Sequence, residues 1–180
     1  MTKEDILALK RGERSAQREF LSRYAEGVFA FIARMVSNPQ DAEELTQDAL
    51  LKALRHIDSY DAEKASLGTW VKRIAYRLAL NYLRRPSRTV LTLDEALYEA
   101  SDEEVEEAFR TPDDRMTDYL LRALDYLPPD EQTLVNLFYY DELPLQEIAE
   151  IVDAPPGTLA TRLHRTRKKL FSIILKLKKQ

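Results

Sequence analysis

Leu143-Pro144-Leu145-Gln146-Glu147-Ile148-Ala149-Glu150-Ile151-Val152-Asp153-Ala154-Pro155-Pro156-Gly157-Thr158-Leu159-Ala160-Thr161-Arg162-Leu163-His164-Arg165-Thr166-Arg167-Lys168-Lys169-Leu170 is the stretch whose reading decides the fold. Leu145, Ile148, Ala149 and Val152 recur at the three-and-four spacing of one buried helical face, with a small alanine where a partner helix can cross closely. Two prolines fit a helix's first turn but not its interior, so the helix stops and a new one starts near Pro155, with Gly157 allowing close approach of backbone or phosphate. In that second helix Leu159, Leu163, Thr166 and Leu170 share one side, while Thr158, Thr161, Arg162, Arg165, Lys168 and Lys169 share the other. From Leu159 to Gln180 there are eight Lys or Arg and no acid. Two short helices around a tight turn, the second basic, form a helix-turn-helix suited to a major groove. A merely solvated basic face is the plainer alternative.

Working outward, 180 residues allow one domain or two small ones. The absence of cysteine excludes a disulfide framework and thiolate metal sites, and His56 and His164 lack ligand spacing, so neither a metal nor any other cofactor is expected. The N-terminus has no signal pattern and no apolar run reaches membrane-spanning length, which predicts a soluble cytoplasmic protein without membrane insertion. The net charge of -4 is uneven: Thr92 to Asp118 holds eleven acids against Arg110 and Arg115, a net of -9, leaving +5 elsewhere. This segment reads as a mobile, solvated acidic linker, with masking of the basic faces as its functional alternative.

Ahead of it the pattern is all helical. A first helix covers about Lys3 to Lys10 and stops at Gly12; a second runs from about Ser15 through Phe20, Leu21, Tyr24, Val28, Phe29 and Ile32 to Val36. Asn38 is the expected cap of a third helix, Pro39 to His56, with Leu45, Ala49, Leu50, Ala53, Leu54 and Ile57 inside. Asp41, Glu43, Glu44, Gln47, Asp48 and Lys52 decorate its outside, and the helix dipole alone accounts for acids in the first turns. A polar loop, Tyr60 to Ser66, leads into a fourth helix over Leu67 to Arg85. There Val71, Ile74, Ala75, Leu78 and Tyr82 are expected to point inward and Lys72, Arg73, Tyr76, Arg77, Asn81, Arg84 and Arg85 outward. Basic side chains interleaved with aromatics suit an unpaired strand, because rings stack on bases while cations release counterions.

Asp41-Ala42-Glu43-Glu44-Leu45-Thr46-Gln47-Asp48, Thr69-Trp70-Val71-Lys72-Arg73-Ile74-Ala75, Leu80-Asn81-Tyr82-Leu83-Arg84-Arg85 and Leu127-Pro128-Pro129-Asp130-Glu131-Gln132 resemble, in order and spacing, the signatures of bacterial sigma factors of the small extracytoplasmic-function (ECF) type in the sigma-70 family. The resemblance implies an all-α fold of two small helical domains joined by a flexible acidic linker: a region 2 domain over residues 1–88, the linker over 89–116, and a region 4 domain over 117–180. It implies no enzyme and no small-molecule substrate, but a factor that brings core RNA polymerase to promoters and opens them. Asp41, Glu44, Leu45, Gln47, Asp48, Leu51 and Lys52 would dock on the clamp of the largest polymerase subunit, and Leu127 to Tyr140 on the flap of the second-largest. Tyr60, Lys64, Ser66, Trp70, Lys72, Arg73, Tyr76, Arg77, Asn81, Arg84 and Arg85 would hold the single-stranded -10 element. Thr158, Ala160, Thr161, Arg162, His164, Arg165, Lys168 and Lys169 would read the -35 element as duplex. An anti-sigma factor, often membrane-anchored, would clamp both domains.

Asp153, Ala160 and Arg77 depart from the usual pattern, which has glycine, Lys or Arg, and asparagine there. Aspartate tolerates the left-handed backbone better than most residues. Two other classes compete with the sigma reading. A dimeric repressor or activator on palindromic duplex would need a dimerisation domain, and a nucleic-acid enzyme would need converging carboxylates or a metal.

Overall fold

The structure, a computed structural model, describes residues 1–84, 101–105 and 114–178. Arg85 and the expected linker, apart from 101–105 and 114–116, lie outside the described residues. The elements are α1 (Lys3–Lys10), α2 (Arg14–Ala33), α3 (Pro39–Arg55), a single 3-10 turn (Ile57–Ser59), α4 (Leu67–Leu83), α5 (Asp114–Leu124), α6 (Pro129–Val135), a π-helical turn (Asn136–Tyr140), α7 (Leu145–Val152) and α8 (Pro156–Leu177). No strand occurs among the described residues. The fold is all-α.

Local chemistry sets the helix ends. Thr2 and Asp5 form a capping box around the start of α1, the Asp5 amide donating to Thr2 Oγ1 at 3.2 Å and the Thr2 amide to Asp5 Oδ2 at 2.6 Å. Asn38 Oδ1 accepts from the Gln40 and Asp41 amides, with Pro39 behind it in the first turn of α3; such a cap contributes about 1 kcal/mol. Gly12, after α1, has φ +74, a backbone that glycine adopts without steric cost. The π-helical turn is closed by the Asp141 amide on the Asn136 carbonyl five residues back, at 3.0 Å.

The chain divides into two compact units, Met1–Arg85 with Leu143–Ala154, and Pro86–Glu142 with Pro155–Gln180. In the first, α2, α3 and α4 pack on one another, α1 covers α2 and the 3-10 turn, and α7 lies on α4. Its core holds Phe20, Phe31, Ile32, Ala42, Ala49, Val71 and Ala75. In the second, α5 and α6 pack on α8, burying Leu127, Leu134, Leu137, Leu159, Leu163, Leu170 and Ile174. The two helices expected to form the helix-turn-helix therefore fall in different packing units, α7 in the first and α8 in the second. The turn between them carries Asp153 at φ 60, ψ 51, the left-handed geometry that its side chain tolerates.

Candidate nucleic-acid interface

In the first unit, the loop before α4 is preformed. Asp61 Oδ1 accepts from the Glu63 amide at 3.0 Å and Asp61 Oδ2 lies 3.4 Å from Lys64 Nζ; the amide bond first, then the lysine, holds the Asp61 carboxyl below its ordinary range. Tyr60 donates its hydroxyl to the Ala65 carbonyl at 3.0 Å, its ring sits 5.5 Å from that of Trp70, and Lys10 on α1 donates to the Tyr60 carbonyl at 3.3 Å. Ser66 caps α4 by accepting from the Thr69 amide at 3.1 Å. A cavity of about 190 Å³ opens beside this loop, lined by Lys64, Thr69, Trp70 and Arg73 among others, with Glu150 from α7 in its wall. An aromatic ring flanked by two cations suits a base and its phosphate.

Lys64, Ser66, Arg77, Asn81 and Arg84 are exposed, and Trp70, Lys72 and Arg73 are half-buried. The outward position expected for Tyr76 is not what the structure has: Tyr76 is 6% exposed, facing inward because α4 is covered on more than one side. Tyr60, at 7% exposure, likewise spends its hydroxyl inside the loop and presents no open ring face. Both tyrosines shape the site from behind.

Sequence reading did not find that α7 lies along the same face of α4. Thr69 donates its hydroxyl to Glu147 Oε1 at 2.8 Å, Arg73 bonds Asp153 Oδ1, and Arg77 Nη2 reaches Asp153 Oδ2 at 2.6 Å. Burial by itself raises the Asp153 carboxyl, but hydrogen bonds and charge from Arg73 and then Arg77 outweigh it and hold the group below its ordinary 3.8. The available signal was the spacing of Glu147, Glu150 and Asp153, three residues apart along one line of α7.

On α3, Ala42, Thr46, Ala49, Leu50 and Ala53 are buried, and the Thr46 hydroxyl donates to the Ala42 carbonyl at 2.7 Å. Glu44, Gln47, Asp48, Leu51 and Lys52 are exposed on the opposite side, with Leu51 48% exposed among the polar groups. Leu45 is half-buried, and Asp41 accepts a hydrogen bond from the Tyr82 hydroxyl of α4. An exposed leucine framed by charges is a surface suited to a protein partner.

In the second unit, the start of α8 presents Thr158, Ala160, Thr161, His164 and Arg165 to solvent. A Cβ added to Gly157 would meet nothing within 4 Å, so the glycine leaves space ahead of the helix. The other expected contacts are engaged within the unit. Arg162 is ion-paired with Asp130 of α6, Lys169 lies 3.1 Å from Glu131, and Lys168 lies 2.6 Å from Asp102. Asp102 also lies 3.3 Å from His164 Nε2, and the Lys168 hydrogen bond holds its carboxyl below the ordinary range. Beside it Val105, 4% exposed, packs on Phe171. The residues 101–105 of the acidic segment thus lie on α8. Among the described residues no group of three or more His, Cys, Asp or Glu could hold a metal ion, and no helix is long and apolar enough to cross a membrane.

The family Sigma-70 region 2 matches residues 20–89, and the family Sigma-70, region 4 matches residues 117–170. The chain is 30% identical to the ECF RNA polymerase sigma factor SigW of Bacillus subtilis, over 94% of this chain and 95% of that protein. It is 32% identical to the ECF RNA polymerase sigma-E factor of Haemophilus influenzae, over 89% and 88% of the two chains. Among solved structures it is similar to the sigma factor RpoE from Bartonella quintana, crystallised with the anti-sigma factor NepR. The TM-score is 0.59 at 22% identity, covering 87% of this chain and 94% of that one, a likeness of fold.

Proposed function

This chain belongs to the sigma-70 family, as a sigma factor of the ECF type, and from that premise we propose that it binds core RNA polymerase, directs it to promoters and opens them. Region 2 spans residues 1–88 and region 4 residues 117–180, with 89–116 tethering them. The exposed stripe Glu44, Gln47, Asp48, Leu51 and Lys52 on α3 docks on the clamp of the largest subunit. The segment Leu127 to Tyr140, with Tyr140 72% exposed, packs on the flap of the second-largest.

Strand opening needs no catalysis by this chain. The Trp70 cavity and the cations Lys64, Lys72, Arg73, Arg77 and Arg84 bind an opened strand in preference to a closed duplex, and stacking supplies roughly 1–3 kcal/mol per base against the unpairing cost. At the other end Thr158, Thr161, His164 and Arg165 read the -35 duplex from the major groove, where arginine pairs bidentately with guanine. The work is done in the cytoplasm beside the polymerase, and an anti-sigma factor that covers the α3 and α8 surfaces would silence it.

The observation that carries this reading is the presence of two unlike DNA faces on one chain: a cation-flanked aromatic cavity at α4 and an exposed threonine–arginine face at the start of α8. The test is transcription in vitro with purified core polymerase and genomic promoter fragments, mapping start sites with and without the chain. New start sites are expected. Their absence, or binding of palindromic duplex by a dimer of the chain without polymerase, would overturn the proposal.

A further inference from the structure

Thr69, Arg73 and Arg77 stand at i, i+4 and i+8 on α4, so their side chains form one line along the helix. Every member of that line is engaged by an acid of α7 or of the turn that follows it: Thr69 by Glu147, Arg73 and Arg77 by the two oxygens of Asp153. Glu150, between those acids, contributes to the wall of the Trp70 cavity. Asp153 and Arg77, two of the three departures from the sigma pattern, are thus bonded to each other. A carboxylate and a phosphate approach a guanidinium by the same geometry, so one Arg73–Arg77 pair cannot serve Asp153 and a DNA strand together.

We propose that the Thr69–Arg73–Arg77 face of α4 is a docking surface for the acidic line Glu147–Glu150–Asp153 of the same chain, and that a -10 strand reaches α4 only by displacing it. The inference rests on the reading of α4 as the strand-holding helix. Two exposed ion pairs and one hydroxyl–carboxylate bond bias the closed arrangement over the open one by roughly tenfold. A bias of that size keeps the free chain from capturing unpaired DNA yet yields to a second binding event. Because α7 runs directly into α8, any engagement that draws α7 away from α4 exposes the strand site, and by linkage the strand favours that engagement equally.

Trp70, the single tryptophan of the chain, borders the guarded cavity and reports on it. Acrylamide quenching of Trp70 is measured in the full chain, alongside anisotropy titration with a fluorescein-labelled single strand of mixed sequence, about 20 nucleotides long. The variants are Asp153→Asn and Glu147→Gln, alone and together; asparagine keeps the left-handed backbone within reach. The double variant is expected to quench more strongly and to bind the strand roughly tenfold more tightly. If Asp153→Asn fails to fold, Glu147→Gln carries the test, since it leaves the turn untouched. Unchanged quenching, whether or not strand affinity rises, would overturn the guard, because a rise alone is only the loss of a negative charge. Stronger quenching with no strand binding by any of the proteins would instead overturn the assignment of the strand to α4, and the guarding role with it.

Discussion

Leu50 and Leu51 are neighbours on α3 with opposite fates, and replacing each with alanine separates folding from docking. Leu50 is 5% exposed in the core of the first unit, whereas Leu51 is 48% exposed in the stripe proposed to meet polymerase. Truncating a core leucine costs about 2–5 kcal/mol, the lost transfer free energy plus the cavity left behind. Fully burying a leucine side chain is worth about 1.5–3 kcal/mol, and roughly half of that remains available at Leu51. Leu51→Ala should therefore weaken association with core polymerase by about 1 kcal/mol, roughly fivefold. Its folding stability should move by no more than about 0.5 kcal/mol. Leu50→Ala should do the reverse, lowering the urea midpoint strongly while the folded fraction binds polymerase normally. Urea unfolding followed by circular dichroism gives the first quantity, and anisotropy titration of a labelled chain with core polymerase gives the second. Equal polymerase affinity for wild type and Leu51→Ala, or a stability loss for Leu51→Ala as large as that for Leu50→Ala, would refute the division of α3 into an inner and a docking face.

Arg165→Ala should weaken binding to a -35 duplex by about 1–3 kcal/mol and relax preference at one base pair; an equal loss on every promoter variant would reduce the residue to a phosphate contact. Tyr60→Phe removes the hydroxyl bond to the Ala65 carbonyl and should cost about 1 kcal/mol in urea unfolding; no change would mean that the loop is held by other bonds. Asp153 is held below 3.8, so its contribution to the α7–α4 contact is complete above the ordinary carboxylate value and lost only as pH falls through the lower folded value. Trp70 quenching should therefore be flat from about pH 7 to pH 5, and a transition inside that window would assign the contact to another group.

The three-and-four spacing on α3 was enough to separate Ala49, Leu50 and Ala53 from Glu44 and Asp48, because that helix buries one side only. The same rule misplaced Tyr76, since α4 has α2 and α3 against it and α7 as well, and a helix covered on several sides has no single polar face. Asn38-Pro39 and the left-handed Asp153 were legible because caps and turns are local. The partners of Arg162, Lys168, Lys169 and Asp153 were not, since each lies thirty or more residues away and a charge count carries no distance. The α8 face was readable where it is solvated, at Thr158, Thr161 and Arg165, and unreadable where the chain supplies its own acids.

The π-helical turn after α6 has a consequence for insertions and deletions. Closing a ring on the fifth residue instead of the fourth accommodates one extra residue without lengthening the helix path, so everything beyond it is rotated by about 100° relative to an α-helical continuation. Tyr139 and Tyr140 hold their outward aim through that surplus residue. Losing a single residue between Asn136 and Tyr140 would leave Leu134 and α6 in place while turning both rings off their present face. At this point of the chain, a one-residue change in length acts as a change of bearing.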